Sequence, residues 1–181
     1  MKKVVLSGIF GLVFAGCLGR DLPVVNHYEL QLQKSEKTCK KMRSFYFLGV
    51  SVQEKIKGKK IAYKESENRL EYFVRNEWIE NLPLMVDALL TKGAQNHCVN
   101  LSQNPIKAKE TLSLNIYDLY YDANENVAVF NALLTREKTI QKSIWIKEKV
   151  AVKDGDFSKI IEAMNEAVNL GIESFYKEIT K

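Results

Sequence analysis

The stretch from Phe157 to Ile179 constrains the fold of this chain more than any other. Apolar side chains recur along it at helical spacing and share one face, namely Phe157, Ile160, Ile161, Met164, Val168, Gly171, Ile172, Phe175 and Ile179. Charged residues such as Lys159, Glu162 and Glu166 occupy the opposite face. Most of the stability of such a helix comes from packing its apolar stripe against another element, so the rest of the chain must supply an apolar surface.

The segments before this helix have the period of β-strands and can supply that surface. Strands are predicted at 27–33, 45–53, 61–65, 69–78, 98–101, 112–121, 127–134 and 142–152. The segment 45–53 is apolar on both faces, which is typical of a central strand. Leu70, Tyr72, Val74 and Trp78 share the apolar face of 69–78. The last three strands indicate an antiparallel meander, and a slip in the apolar phase of 112–121 indicates either a β-bulge or a strand buried on both sides.

A second helical period interrupts the strands. Leu82, Met85, Val86, Leu89 and Leu90 recur at helical spacing, Asn81 is a candidate N-cap, and Pro83 is tolerated in the first turn. A chain of 181 residues suits one domain with a real core. The predicted class is therefore α/β of an α+β-like kind: a single domain with a mixed, largely antiparallel sheet packed by two helices, the longer one C-terminal.

The N-terminus has the pattern of an export signal. Lys2 and Lys3 precede an apolar run at 4–13, and the run ends in Phe-Ala-Gly-Cys at 14–17. This ending resembles a bacterial lipobox, in which the leader is cut before the cysteine and the cysteine is acylated. Cys17 is therefore the predicted lipid attachment residue.

This interpretation divides the chain into a signal peptide (1–16), an acylated N-terminus with its linker (17–26) and a domain (27–181). Two or three acyl chains give a lasting membrane anchor without spanning the bilayer. Other interpretations stay open: an ordinary secretory signal, a cytosolic protein with an apolar N-terminus, and a spanning helix, for which about 20 apolar residues are needed.

Two further cysteines remain if Cys17 carries lipid. Cys39 and Cys98 form an even pair in a chain that would fold in an oxidising compartment, which favours a disulfide. Two buried free thiols are the alternative.

Charge and motifs argue against several function classes. The net charge is +5, and basic patches at 37–43 and 55–60 lack interleaved aromatic residues, so a solvated face or an anionic membrane neighbour is favoured over nucleic acid. His97 beside Cys98 is no metal spacing, because adjacent strand residues point to opposite faces. No phosphate loop, zinc-ligand spacing or nucleophile elbow is found in the sequence. We therefore expect no enzyme activity, metal or cofactor.

Short motifs give the chain a family resemblance. In order they are a Y-x-L strand (Tyr28, Leu30), the apolar strand 45–52, an I-x-Y strand (Ile61, Tyr63) and a strand ending in Trp78. Trp78, Glu80 and Pro83 then keep the tryptophan, acid and proline of an approximate W-A-E-P-L pattern. This order resembles the ABC-type transport auxiliary lipoprotein family, which includes paraquat-inducible protein C.

The resemblance implies a lipid-anchored protein that faces the periplasm of a Gram-negative envelope. Its partners would be a mammalian-cell-entry (MCE) domain protein and the permease and ATPase of an ABC transporter, which together move lipid between the two membranes. The family's fold is α/β and it has no catalytic residues; a homo-oligomer fits this role. Leu18 after Cys17 favours the outer membrane. The alternatives are a periplasmic carrier of lipid or another small apolar ligand and a purely structural envelope lipoprotein.

Overall fold

The computed structural model describes residues 24–33 and 38–181, so Cys17 and the predicted signal peptide lie outside the described residues. The strands are β1 (Asn26–Tyr28), β2 (Arg43–Val52), β3 (Lys60–Ser66), β4 (Arg69–Trp78), β5 (Val99–Ser102), β6 (Thr111–Asp122), β7 (Val127–Glu137) and β8 (Gln141–Ala151). The helices are α1 (Leu82–Gly93) and α2 (Phe157–Thr180), with short 3₁₀ turns at Glu54–Ile56, Ala94–His97 and Pro105–Lys107.

The eight strands of the described chain form one mixed sheet with β6 at its centre. One edge of β6 pairs antiparallel with β7, which pairs antiparallel with β8. The other edge of β6 pairs in parallel with β2 over its first half and with β3 near its end. Beyond β2 lies β5, and beyond β3 lie β4 and then β1. The predicted class, a single domain with a mixed sheet and a longer C-terminal helix, is confirmed.

Both helices pack on the same face of the sheet. α2 lies on β7 and β8, and α1 lies beside β2. Phe47 of β2 meets Phe175 of α2 edge to face at 5.9 Å between ring centroids. The two helices are joined by the buried hydroxyl of Tyr176, which donates to the backbone oxygen of Leu90. The apolar stripe of α2 therefore covers the sheet, as its periodicity predicts.

Several local predictions can be compared with the structure. The antiparallel meander is confirmed as β6, β7 and β8, and the pairing of β6 with β7 shifts between Ile116 and Asp118, which confirms the β-bulge. Asn81 does precede α1, but its side chain makes no capping hydrogen bond; its backbone oxygen accepts from the backbone N–H of Leu84 at 3.0 Å. α2 is capped by Asp156, whose Oδ1 accepts from the backbone N–H of Ser158 at 2.9 Å.

The predicted strand at 27–33 is wrong beyond Tyr28. There the chain leaves the sheet and crosses α2 as an extended strap, residues 29–33. The backbone N–H of Gln31 donates to Asn165 Oδ1 at 2.7 Å, and Asn169 Nδ2 donates back to the oxygen of Gln31 at 2.9 Å. Because these helix side chains supply the hydrogen bonds that a neighbouring strand would give, the strap can be extended without belonging to the sheet.

The two ends of the domain bring different elements together. α2 begins beside the β3–β4 and β6–β7 turns, because the Phe157 ring lies 4.7 Å from that of Phe73 and Asp122 pairs with Lys64. It ends beside the start of β2 and the β7–β8 turn. We call the first the entry end (residues 64–71, 122–126 and 153–157) and the second the basic end (residues 39–43, 109–110, 136–142 and 177–181).

Candidate functional site

The place where the chain enters the fold can be located, although Cys17 itself lies outside the described residues. Val24 is the first described residue and is 82% exposed. Two residues later β1 begins, and the ring of Tyr28 lies 5.3 Å from that of Phe157 at the first position of α2. The described chain therefore reaches the first residue of α2, at the entry end, within five residues of Val24.

The motif residues Tyr28 and Trp78 are direct neighbours in the sheet. They stand opposite each other where β1 pairs in parallel with β4, and the backbone N–H of Ile79 donates to the oxygen of Tyr28 at 2.8 Å. Trp78 is 2% exposed, and its backbone N–H donates to the oxygen of Lys59 at 2.7 Å. The tryptophan thus fixes the end of β4 against both the start of β3 and the incoming chain.

An aromatic cluster links this pair to the I-x-Y motif. Tyr63 lies 4.6 Å from Phe73, Phe73 lies 4.7 Å from Phe157, and Phe157 contacts Tyr28. We call these four residues the entry cluster. Their rings close the entry end of the space between the sheet and α2.

The remaining motif residues divide into buried and surface positions. Ile61 is 0% exposed and Leu30 is 3% exposed, so both belong to the core. Glu80 is exposed and Pro83 is half-buried in the first turn of α1. Glu80 and Pro83 therefore lie in the turn between β4 and α1, while Tyr28 and Tyr63 pack in the entry cluster and Leu30, Ile61 and Trp78 are buried in the core.

The predicted apolar face of 69–78 needs a correction. Val74 is 81% exposed, whereas Phe73, which strict alternation puts on the face opposite Val74, packs in the entry cluster. The pairing of β3 with β4 shifts between Lys60 and Ala62, so Trp78 shares the helix-covered side with Phe73 and not with Val74. A single slip of this kind reverses the side of every following residue, and alternation alone does not locate it.

Cys39 and Cys98 form a disulfide, one of the two states that the sequence leaves open. Their Cα atoms are 5.4 Å apart, and the bond joins the segment before β2 to the end of the turn after α1. The next hydrogen bond along, from the backbone N–H of Arg43 to the oxygen of Cys98 at 2.9 Å, begins the pairing of β2 with β5. The bond therefore lies at the start of a parallel strand pair near the basic end.

A buried carboxylate organises the basic end. The side chain of Glu110 is 8% exposed and accepts from Arg136 Nε at 2.5 Å, with Lys138 Nζ at 3.4 Å. Arg136 Nη1 also donates to the backbone oxygen of Glu178 in the last turn of α2 at 3.1 Å. The hydrogen bond from Arg136 lowers the pKa of Glu110. The start of β6, the end of β7 and the end of α2 are thereby joined through one ionised group.

Replacing this carboxylate should change how stability depends on pH. Glu110→Gln is expected to cost about 1.5–3 kcal/mol at pH 7, because it removes a hydrogen bond to a charged group. A pKa that folding lowers gives stability that is fully present above the unfolded value of about 4.3 and is lost as pH falls through the folded value. Urea unfolding at pH 7 and below pH 4 should therefore show a smaller acid-induced loss in the variant.

The matched control for this experiment is the exposed pair of Glu125 and Lys149, whose side chains are 55% and 58% exposed. Glu125→Gln should cost less than about 1 kcal/mol, since exposed ion pairs contribute little. Equal costs and equal acid-induced losses for the two variants would contradict the role given to Glu110.

The described residues offer little for other chemistry. Among them, no group of three or more His, Cys, Asp or Glu residues could hold a metal ion. Within the same ranges, no helix is both long and apolar enough to cross a membrane. A surface groove of about 440 Å³ lies at the basic end and is lined by Lys41, Met42, Arg43, Ser44, Phe45, Lys109 and Glu110. Its rim is charged, while Phe45 and Met42 supply apolar surface.

Comparison with known proteins shows similarity in fold. The chain matches no protein-family model and no curated protein sequence. A crystal structure of an uncharacterized protein superposes with a TM-score of 0.71 at 12% identity, over 86% of this chain and 99% of that one. The crystal structure of protein XCC0632 from Xanthomonas campestris, described as DUF330, gives a TM-score of 0.65 at 8% identity, over 83% of this chain and 92% of that one. The described domain therefore shares the fold of these two proteins, and at identities this low the similarity extends to the fold alone.

Proposed function

We propose that this chain is a lipoprotein of the cell envelope, anchored through Cys17, that serves as a non-catalytic auxiliary subunit of an ABC/MCE-type intermembrane lipid transport system. The observation that carries this proposal is the gathering of the motif residues behind the family resemblance. Tyr28 stands opposite Trp78 in the sheet, and the rings of Tyr28 and Tyr63 are linked through Phe157 and Phe73 in the entry cluster. Leu30 and Ile61, although far from these residues in sequence, are buried in the same core. Motif residues that pack together in this way are better explained by a shared architecture than by chance matches.

The position of the linker also supports the proposal. The N-terminal segment of the described chain is fixed to β4 through β1 and to α2 through the strap, which suits a domain tethered by its N-terminus. The mixed sheet packed by two helices agrees with the fold that the resemblance implies. The disulfide is typical of oxidising compartments such as the periplasm.

The role we assign is mechanical. The anchor would hold the domain at the periplasmic side of a membrane, the outer one by the Leu18 criterion. The domain surface would dock the end of an MCE-domain assembly that works with an ABC permease and ATPase. No residue of the chain is assigned a catalytic role.

A lipid carrier is the strongest rival, and the packing of the core argues against it. A carrier needs an apolar pocket, which would lie between the sheet and the helices. Leu134 of β7 and Met164 and Val168 of α2 fill this interface with 0% exposure. An apolar ligand there would have to displace closely packed side chains, whereas docking needs only the outer surface.

Affinity capture tests the proposed partners. The full chain, tagged and expressed in its own host, is purified from detergent-solubilised envelopes, and an unrelated lipoprotein of the same envelope is the control bait. We expect an MCE-domain protein, with its permease and ATPase, to be recovered with this chain and not with the control. Recovery of none of them with intact, processed bait would count against the transport role and favour a structural envelope lipoprotein.

The anchor has its own test. Cys17→Ala is expected to abolish labelling by radioactive palmitate and to leave an unprocessed precursor on a gel, because Cys17 is the only predicted acylation site. Cys39→Ala is the matched control and should still be labelled and cut, since that cysteine lies beyond the leader. Normal maturation of the Cys17→Ala chain would show that the lipobox assignment is wrong.

A further inference from the structure

The domain is electrically polarised along α2. The basic end contains nine Lys or Arg residues and three Glu residues, whereas the entry end contains three Lys or Arg and seven Asp or Glu. The helix dipole has the usual relation to these charges, with Asp154 and Asp156 before its positive end and Lys177 and Lys181 at its negative end. The mild net charge of the whole chain therefore conceals a strongly cationic surface at one end.

Exposed apolar side chains project from loops at or beside this cationic surface. Met42 immediately precedes β2 and is 45% exposed, Ile106 lies in the 3₁₀ turn before β6 and is 88% exposed, and Ile140 lies in the β7–β8 turn and is 81% exposed. The backbone N–H of Ile106 donates to Asn104 Oδ1 at 3.0 Å, which caps the 3₁₀ turn that carries Ile106. Each of these apolar residues has at least one lysine within two positions in the sequence.

The topology brings these loops to the same region. Thr111 at the start of β6 pairs with Tyr46 of β2 on one side and with Glu137 of β7 on the other. Lys138 reaches Glu110, and Lys109 shares the surface groove with Lys41. Lys41 and Lys109, from two separate loops, thus line one groove together with the apolar side chain of Met42. Lys138, from a third loop, reaches Glu110 in the wall of this groove.

We propose that the basic end is a docking surface for a bilayer that contains anionic phospholipid. Lysines attract phosphate headgroups, and each additional cation near an anionic membrane surface strengthens this attraction. Exposed isoleucines between them can enter the boundary between headgroups and acyl chains. A protein partner is less favoured, because lysine is depleted in protein–protein interfaces.

The basic end lies at the opposite end of α2 from the N-terminal segment. This placement bears on the proposed function, but the docking surface itself does not depend on that function. α2 has 24 residues and is therefore about 36 Å long. The linker enters beside its first turn, and the basic end surrounds its last turn. A domain held by its N-terminal segment on one membrane could therefore present the basic end to a second membrane.

Vesicle capture tests the inference with the protein purified from detergent-solubilised envelopes. The protein is incorporated through its N-terminal anchor into vesicles of neutral phosphatidylcholine, and flotation measures how much protein they carry. Dye-labelled vesicles with or without 30% phosphatidylglycerol are then added, a composition chosen to be about one-third anionic. We expect capture of the anionic vesicles only, and loss of capture in about 0.5 M salt, where screening is strong.

Matched variants locate the surface. The triple variant Lys40→Glu, Lys41→Glu, Lys109→Glu should reduce capture at least about tenfold. The triple variant Lys59→Glu, Lys147→Glu, Lys153→Glu changes net charge equally at exposed positions elsewhere and should retain capture. Equal loss in both triple variants would overturn the inference, because net charge alone would then explain binding.

The contribution of the exposed isoleucines to capture distinguishes a bilayer from an acidic protein as the binding partner. Ile106→Ser with Ile140→Ser should weaken capture several-fold, whereas Val24→Ser with Val74→Ser, at similar exposure, should not. Unchanged capture in the isoleucine variant, together with tighter binding to polyglutamate than to anionic vesicles, would overturn the bilayer assignment in favour of an acidic protein. Loading on the first vesicles is measured separately, so a failure of anchoring is distinguished from a failure of capture.

Discussion

Replacing Gly171 by leucine is expected to destabilise the domain by about 3 kcal/mol, because the substitution overpacks the core. A Cβ atom at this position would lie 2.3 Å from Cε1 and 2.6 Å from Cδ1 of Phe130. Phe130 is 1% exposed on β7, so its ring has no free space into which it could turn. The absence of a side chain at Gly171 therefore sets how closely α2 approaches the sheet.

Urea unfolding of two matched variants checks this expectation. Gly58→Leu changes a glycine whose Cβ would meet nothing within 4 Å, and its effect should stay within about 0.5 kcal/mol. Phe130→Ala should itself cost about 3–5 kcal/mol, because it opens a cavity. In that background Gly171→Leu should be far less costly, since leucine then fills vacated space. Additive costs in the double variant would show that the two positions do not oppose each other.

Gly171 also shows what the sequence can and cannot predict about the core. Its place on the apolar face of α2 follows from helical spacing, which is a local property. Its partner Phe130 belongs to a strand that is apolar on both faces, so alternation does not tell which side meets the helix. The pairing requires the register of β7 and the crossing position of α2, which depend on the assembled sheet.

The strap is a second case in which local pattern and tertiary structure differ. Tyr28, Leu30 and Leu32 alternate as a strand would, and the first of them does lie in β1. The later residues pack on the helices because Asn165 and Asn169 of α2 bind their backbone. In the sequence of α2 alone, these two asparagines look like ordinary polar residues of a helix. Their role becomes apparent only when the N-terminal chain lies across them.

The candidate sites could be predicted from the sequence to different degrees. The motif residues Tyr28, Ile61, Tyr63 and Trp78 could be selected from the sequence, but the packing of Phe73 and Phe157 between Tyr63 and Tyr28 could not. The basic end is less visible still, because its lysines come from loops that are distant in sequence. Only the patch at 37–43 is recognisable as a run of charge, and the topology of β6 brings Lys109 and Lys138 towards it.

Removing the disulfide between Cys39 and Cys98 is expected to lower the free energy of unfolding by about 4 kcal/mol in the chain-entropy model. The bond joins residues 59 positions apart, so it removes many conformations from the unfolded chain. In the folded chain, the bond also holds Cys98 beside the start of β2, where its backbone oxygen accepts the first hydrogen bond between β2 and β5. Cys39→Ser with Cys98→Ser should therefore shift the urea midpoint strongly, and the edge pair β2–β5 should lose hydrogen-exchange protection first.

The backbone at Cys98 allows the bond to be separated from the residue. Cys98 has φ 57° and ψ 38°, a left-handed conformation that costs roughly 1–2 kcal/mol for a residue other than glycine. Cys39→Ser with Cys98→Gly loses the same bond but relieves this conformation, so it should be more stable than the double serine variant by about 1 kcal/mol. A reductant should destabilise the wild-type chain and leave both double variants unchanged. If reduction has no effect on the wild type, the stability of the domain does not depend on this bond, and the β2–β5 edge is held by its hydrogen bonds and packing alone.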